Sequence, residues 1–80
     1  MLITIITPSS TNTVPAAWVE FTTPQGNFVI QEGHAPMVAT ISSEHPVIVG
    51  LADGTNQPLL FLHALIEITR TNVTILAQYK

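Results

Sequence analysis

The sequence predicts an all-β fold, a small two-sheet β-sandwich of roughly eight to ten short strands, in a single domain covering residues 1–80. Three observations predict it. Runs rich in Val, Ile, Thr and Phe recur along the chain, and such side chains suit a pleated, half-buried surface. Turn signals separate the runs at intervals near the ~8–12 residues typical of sandwiches and barrels. No capping residue leads into a sustained 3.6-residue apolar period, so no helix start is present.

Taken in order, residues 2–7 are β-branched and close at Pro8-Ser9-Ser10, a strand followed by a turn. Residues 14–22 form a second extended run, with Pro15 near its start, where a missing N–H is tolerable. Gly26 supplies a turn in which positive φ costs nothing. Residues 28–30 are the third strand, Phe28 and Ile30 on one face and Val29 on the other. Gly33 permits a second sharp bend, and Pro36 fixes its own φ and keeps Ala35 extended, so His34 stands on a stiff loop. Residues 37–41 make a fourth strand. Ser42 and Ser43 fit a turn before a fifth, at 46–52, which ends at the turn pair Asp53-Gly54. Residues 59–63, 64–69 and 73–79 complete the set, with Arg70-Thr71-Asn72 as the last turn. There is no internal repeat, linker or low-complexity tract.

Composition narrows the function. Hydrophobic residues are 46% of the chain and charged residues only 9%, against ~25% in ordinary soluble domains, which leaves strand edges with little charge to prevent pairing. A place inside an assembly accounts for this better than a neutral Thr- and Asn-rich surface does. A formal charge of −3, with only Arg70 and Lys80 basic, excludes nucleic acid and a polybasic membrane anchor as partners. Without cysteine there is no disulfide and no thiolate-bound zinc. No run approaches the ~20 apolar residues of a spanning helix, so direct membrane insertion is not expected. No basic region precedes Leu2-Ile3, as a signal peptide would require.

The residues that carry chemistry are few. His34, His45 and His63 share the chain with Glu32, Glu44 and Asp53, yet no pair has the His-x₃-His type of spacing with which one helix would present two metal ligands. Ser42-Ser43-Glu44-His45 holds the residue types of a triad, but neighbours in sequence do not converge as a triad must. Neither a Walker-type loop nor a Rossmann glycine fingerprint is present. The sequence therefore predicts no catalytic residue, no metal, no cofactor and no nucleotide bound by this chain alone. Phe21, Phe28 and Phe61 are expected in the core, which in a domain this small needs its large side chains. Trp18, in a polar-leaning strand, is either core packing or an interface anchor.

The stretch Gly26-Asn27-Phe28-Val29-Ile30-Gln31-Glu32-Gly33-His34-Ala35-Pro36 resembles the Gly-Glu-Phe/Leu-Gly-Ile-X-Pro-Gly-His-Ala-Pro run of the epsilon subunit of F-type ATP synthases, called delta in mitochondria. Gly26, Phe28, Ile30, Gly33, His34, Ala35 and Pro36 match it. The likeness extends over nearly the whole chain: Leu2-Ile3-Thr4-Ile5-Ile6-Thr7-Pro8 resembles the family's first strand. Leu65-Ile66-Glu67-Ile68 and Asn72-Val73-Thr74-Ile75-Leu76-Ala77 resemble its closing hairpin. The sequence departs at Asn27, often Glu, at Thr22, often Pro, at Gln31 and Glu32, and at His63-Ala64, often Gly-Gly.

This resemblance implies a non-catalytic rotor subunit in the central stalk of a rotary ATP synthase, coupling ion flow to ATP synthesis. It implies contact with the gamma subunit through His34, Ala35 and Pro36, with one face of the sandwich on gamma, and contact with the membrane c-ring through Gln25, Gly26 and Asn27. It places the chain at the cytoplasmic side of a bacterial inner membrane, peripheral to it. The sequence stops at Lys80, where most relatives continue into a helical hairpin, so the expected subunit lacks the inhibitory helices. The alternatives are a carbohydrate- or ligand-binding β module, which needs an exposed aromatic row, and a β protein that self-assembles through its uncharged edges.

Overall fold

The computed structural model describes residues 1–42 and 44–80; Ser43, half of the expected Ser42-Ser43 turn, lies outside the described residues. Eight strands follow one another: β1 Leu2–Thr7, β2 Ser10–Thr23, β3 Gly26–Gln31, β4 Met37–Ser42, β5 Val47–Leu51, β6 Asn56–Leu59, β7 Phe61–Ile68 and β8 Asn72–Tyr79. No helix is present among the described residues. The expected all-β sandwich is the fold observed.

Two sheets share β2. Its first half pairs with β1, in a sheet of order β4-β7-β8-β1-β2. Its second half pairs with β3 on one side and β5 on the other, and β6 extends that second sheet from β5. The handover falls where the β2–β5 register shifts between Ala16 and Trp18, a bulge of the kind that bends a strand from one sheet into the next. β1 and β8 run parallel, and every other pair is antiparallel.

Alternation explains the core. Ile3 and Ile5 of β1, Val19 and Phe21 of β2, Ile30 of β3, Val47 and Val49 of β5, Ile66 and Ile68 of β7, and Val73 and Ile75 of β8 all point between the sheets and are buried. Each such side chain withdrawn from water contributes about 1.5–3 kcal/mol. No polar side chain among the described residues shares this space. Phe21 and Phe61 are buried as expected, whereas Phe28 is only half-buried and stacks on its cross-strand partner Phe21, ring centroids 5.6 Å apart.

Three expected boundaries move. The 59–63 and 64–69 segments are not two strands: β7 runs continuously through Phe61–Ile68, and its ladder with β8 absorbs an irregularity between Phe61 and His63. That irregularity turns both Leu62 and His63 outward, and both are exposed. β6 was not expected, because Asn56, Gln57 and Pro58 lack strand character; it survives as an edge strand, where proline breaks no ladder. Finally, β2 starts at Ser10 instead of residue 14. Its polar first turn of chain is zipped to β1 by hydroxyl pairs, Thr4 with Thr13 at 3.1 Å and Thr7 with Ser10 at 2.9 Å.

Candidate functional site

The two candidate contacts sit at opposite ends of one strand. Thr23 pairs with Gly26 to close the β2–β3 hairpin over Pro24 and Gln25, and Gly26 takes φ +133°, open to solvent. Thr23 staples this turn: the Gln25 N–H donates to its hydroxyl at 3.1 Å. Asn27 donates its side-chain amide to the Thr22 hydroxyl at 3.0 Å, so one of its two N–H groups is spent inside the hairpin while its carbonyl stays available. Gln25, Gly26 and Asn27 are all exposed at this tip.

At the other end of β3, on the order of 20 Å away at ~3.3 Å per residue, lies the 33–36 loop. Gly33 adopts φ +87°, a left-handed conformation that makes the sharp bend expected there. The His34 N–H donates to the Gln31 carbonyl at 3.1 Å, closing the bend. The His34 Nδ1 lies 2.7 Å from the Ala35 carbonyl. A carbonyl only accepts, so Nδ1 is the donor in this contact. His34 is half-buried, and Ala35 and Pro36 are exposed.

Two other segments fasten this loop. The Gly33 N–H donates to the Arg70 carbonyl at 2.7 Å, joining the loop to the β7–β8 turn. Beside it the Met1 backbone nitrogen donates to the Ala16 carbonyl at 3.1 Å and lies 3.3 Å from a Glu32 carboxylate oxygen. The stiffness expected from Pro36 is therefore reinforced by contacts that sequence spacing does not show.

Trp18 stands outside the buried core. It lies on the outer face of the second sheet, half-buried, opposite Gly50 of β5. A methyl group at Gly50 would stand 2.1 Å from the indole Cε2, so the ring lies flat against the bare glycine backbone. Among the described residues no exposed aromatic row accompanies it: Phe21 and Phe61 are buried, and Tyr79 packs tilted against Phe61 with centroids 4.9 Å apart.

The outer face of the first sheet is the surface that residue-by-residue reading missed. Ladder pairing sets Leu65 opposite Leu76 and Leu76 opposite Ile6, an apolar row across β7, β8 and β1. Leu2, Val38 and Leu62 are exposed around it, Val38 at 63%. Part of the signal was in the sequence: Leu2 and Ile6 of β1, and Leu62 and Leu65 of β7, are apolar beside inward positions that are apolar already.

Among the described residues no three His, Asp or Glu side chains converge. Of the titratable groups, Asp53 departs clearly from its ordinary value: the Thr55 hydroxyl, and after it the Thr55 N–H, donate to its carboxylate at 2.6 and 2.9 Å and hold its pKa down. Asp53 and Thr55 close the β5–β6 turn and face solvent, an arrangement that shapes a loop.

A family model described as ATP synthase, delta/epsilon chain, β-sandwich domain matches residues 1–79. No curated protein matches the chain. Among solved structures, a chain of the Euglena gracilis mitochondrial ATP synthase superposes with a TM-score of 0.86 at 15% identity, over 96% of this chain and 49% of that one. A chain of the Tetrahymena thermophila mitochondrial ATP synthase, from its central stalk and c-ring, superposes with a TM-score of 0.79 at 13% identity, over 98% and 63%. At that identity these structures show the shared fold, and this chain spans about half to two thirds of their length.

Proposed function

The chain belongs to the ATP synthase delta/epsilon β-sandwich family, and from that premise we propose that it is a non-catalytic rotor subunit which docks on gamma and reaches the c-ring. The observation that carries the reading is the exposed apolar face of the first sheet. Ile6, Leu65 and Leu76 form one continuous row on a folded domain, and a row of that kind marks a surface that works while covered. On this reading the face lies against gamma, with His34, Ala35 and Pro36 at its margin, and Gln25, Gly26 and Asn27 touch the ring from the other end of β3. Trp18 anchors a further contact on the second sheet. Ion flow through the ring is then coupled to ATP synthesis through the shape of this domain, which holds no cofactor and performs no chemistry.

The structural relatives are mitochondrial. For this chain we assign the equivalent place in a bacterial cell, peripheral at the cytoplasmic side of the inner membrane. The carbohydrate-binding alternative loses support, since Trp18 lies flat on the sheet without a row of exposed aromatics. The test is purification of the tagged chain from its own cells. Alpha, beta and gamma subunits in stalk proportions are expected to co-elute with the wild type and to be lost with Leu76→Asp. Recovery of the chain alone, as monomer or homo-oligomer, would overturn the proposal.

A further inference from the structure

We infer that the β7–β8 turn and the 33–36 loop form one recognition surface, in which Arg70 is the specificity-determining residue and meets a carboxylate of the docking partner. The inference rests on the reading of the chain as a docked subunit and adds the chemistry of one contact. The two segments are far apart in sequence and joined by the 2.7 Å bond from the Gly33 N–H to the Arg70 carbonyl. The turn itself is closed tightly: the Thr69 N–H donates to the Asn72 carbonyl at 2.9 Å, and the Asn72 N–H donates to the Thr69 hydroxyl at 3.1 Å. Arg70 thus projects from a fixed point.

Its side chain turns toward the loop, where Nη1 donates to the Gly33 carbonyl at 3.5 Å. A guanidinium carries five N–H donors in a rigid fork, so most of them remain unmet. Among the described residues no carboxylate pairs with it, in a chain whose only other basic side chain is Lys80. The nearby acids are otherwise placed. Glu32 faces the Met1 nitrogen, and Glu67 opposes Val38 and Thr74 on the outer face of the first sheet. Pro36, Val38, Glu67 and Thr69 border a cavity of about 390 Å³ beside the turn, with room for a partner side chain. A carboxylate approaching from the loop side meets the Arg70 fork. One approaching over the outer face meets Glu67 and is repelled. That asymmetry selects both charge and direction.

The test measures binding of the full chain to an alpha–beta–gamma complex stripped of its own delta/epsilon chain, by interferometry at about 50 and about 300 mM salt. Arg70→Gln is expected to weaken binding roughly two- to fivefold at low salt and to remove most of the salt dependence. Arg70→Glu is expected to weaken it by roughly tenfold or more, and Arg70→Lys to recover part of the loss. All three variants keep the main-chain bond to Gly33, and unchanged melting curves confirm intact folding. If the Arg70 variants bind as the wild type does while Leu76→Asp does not bind, the inference fails and the docking reading stands. If the wild type does not bind, both fall. Arg70-dependent binding to anionic lipid vesicles in place of the protein complex would also overturn it.

Discussion

Replacing Gly50 by Ala tests whether the outer face of the second sheet is built around a single aromatic plate. The added methyl would lie 2.1, 2.3 and 2.5 Å from Cε2, Nε1 and Cδ2 of Trp18, where carbon contacts are comfortable only near about 3.5–4.0 Å. β5 is hydrogen-bonded on both sides, to β2 and to β6, so its backbone does not retreat. The indole must lift instead. Overpacking of this kind costs about 1–3 kcal/mol. Against it stands the roughly 0.5–1 kcal/mol by which Ala surpasses Gly inside a strand. The net loss is about 0.5–2 kcal/mol, and at ~4–8 °C per kcal/mol for a domain this size the midpoint falls by about 2–16 °C.

The decisive comparison uses Trp18→Val. With the indole gone the clash disappears, so Gly50→Ala becomes stabilising by roughly 0.5–1 kcal/mol and the sign of its effect reverses. Thermal and urea unfolding followed by circular dichroism measures all four members of the cycle. Trp18 is the sole tryptophan, so its emission in the Gly50→Ala single variant reports the lift directly as a red shift. An equal loss in both backgrounds, together with unshifted emission, would refute the reasoning.

The remaining predictions concern one backbone position, one core position and one turn. Gly33 has φ +87° with open space at its missing Cβ, so Gly33→Ala should cost about 1–2 kcal/mol of backbone strain without a clash, read from urea unfolding, and Gly33→Asn should cost less. Ile66 is fully buried, and Ile66→Ala should lose about 2–5 kcal/mol, a large part of the ~5–15 kcal/mol a domain possesses, with a matching fall in the urea midpoint. Thr55 lowers the pKa of Asp53 in the folded chain, so the stabilisation is present above the unfolded carboxylate pKa and is lost as pH falls through the lower folded value. Amide exchange at Thr55 should accelerate across that acidic window in the wild type and be fast and free of that transition in Asp53→Ala.

Much of the architecture was legible because particular residues carry mechanisms. Gly26 was assigned to a turn in which positive φ costs nothing and Gly33 to a sharp bend, and both have positive φ. The alternation of Phe28 and Ile30 against Val29 predicted the inward face of β3, where Ile30 is buried and Val29 exposed. Other features had no local signature. The polar start of β2 is held by cross-strand hydroxyls, which exist only once β1 lies alongside. β6 persists with a proline because it is an edge, a property of sheet order rather than of sequence. Period-two reading assigns faces but not sheets, so it could not reveal that β2 belongs to both. The candidate site divides in the same way. The bend at Gly33 and the placing of His34 are local and were foreseen, but the bond from Gly33 to Arg70 spans 37 residues and is purely tertiary.

That division bears on how the proposed rotor subunit would transmit force. The 24–27 tip and the 33–36 loop are the two ends of β3, a strand six residues long whose ladder partner is β2. Left to itself such an edge strand would bend. Here Phe28 stacks on Phe21, Ile30 is seated in the core, and the far end is fixed to the β7–β8 turn through Gly33. β2 in turn runs on into the first sheet, whose outer face carries the apolar row. A displacement imposed on the 24–27 tip therefore has two stiff routes, along β3 to the loop and along β2 to the docking face. Both end on the surfaces assigned here to gamma. The shared strand is what joins the two sheets into one lever, and the bulge beside Ala16 is where its two arms meet.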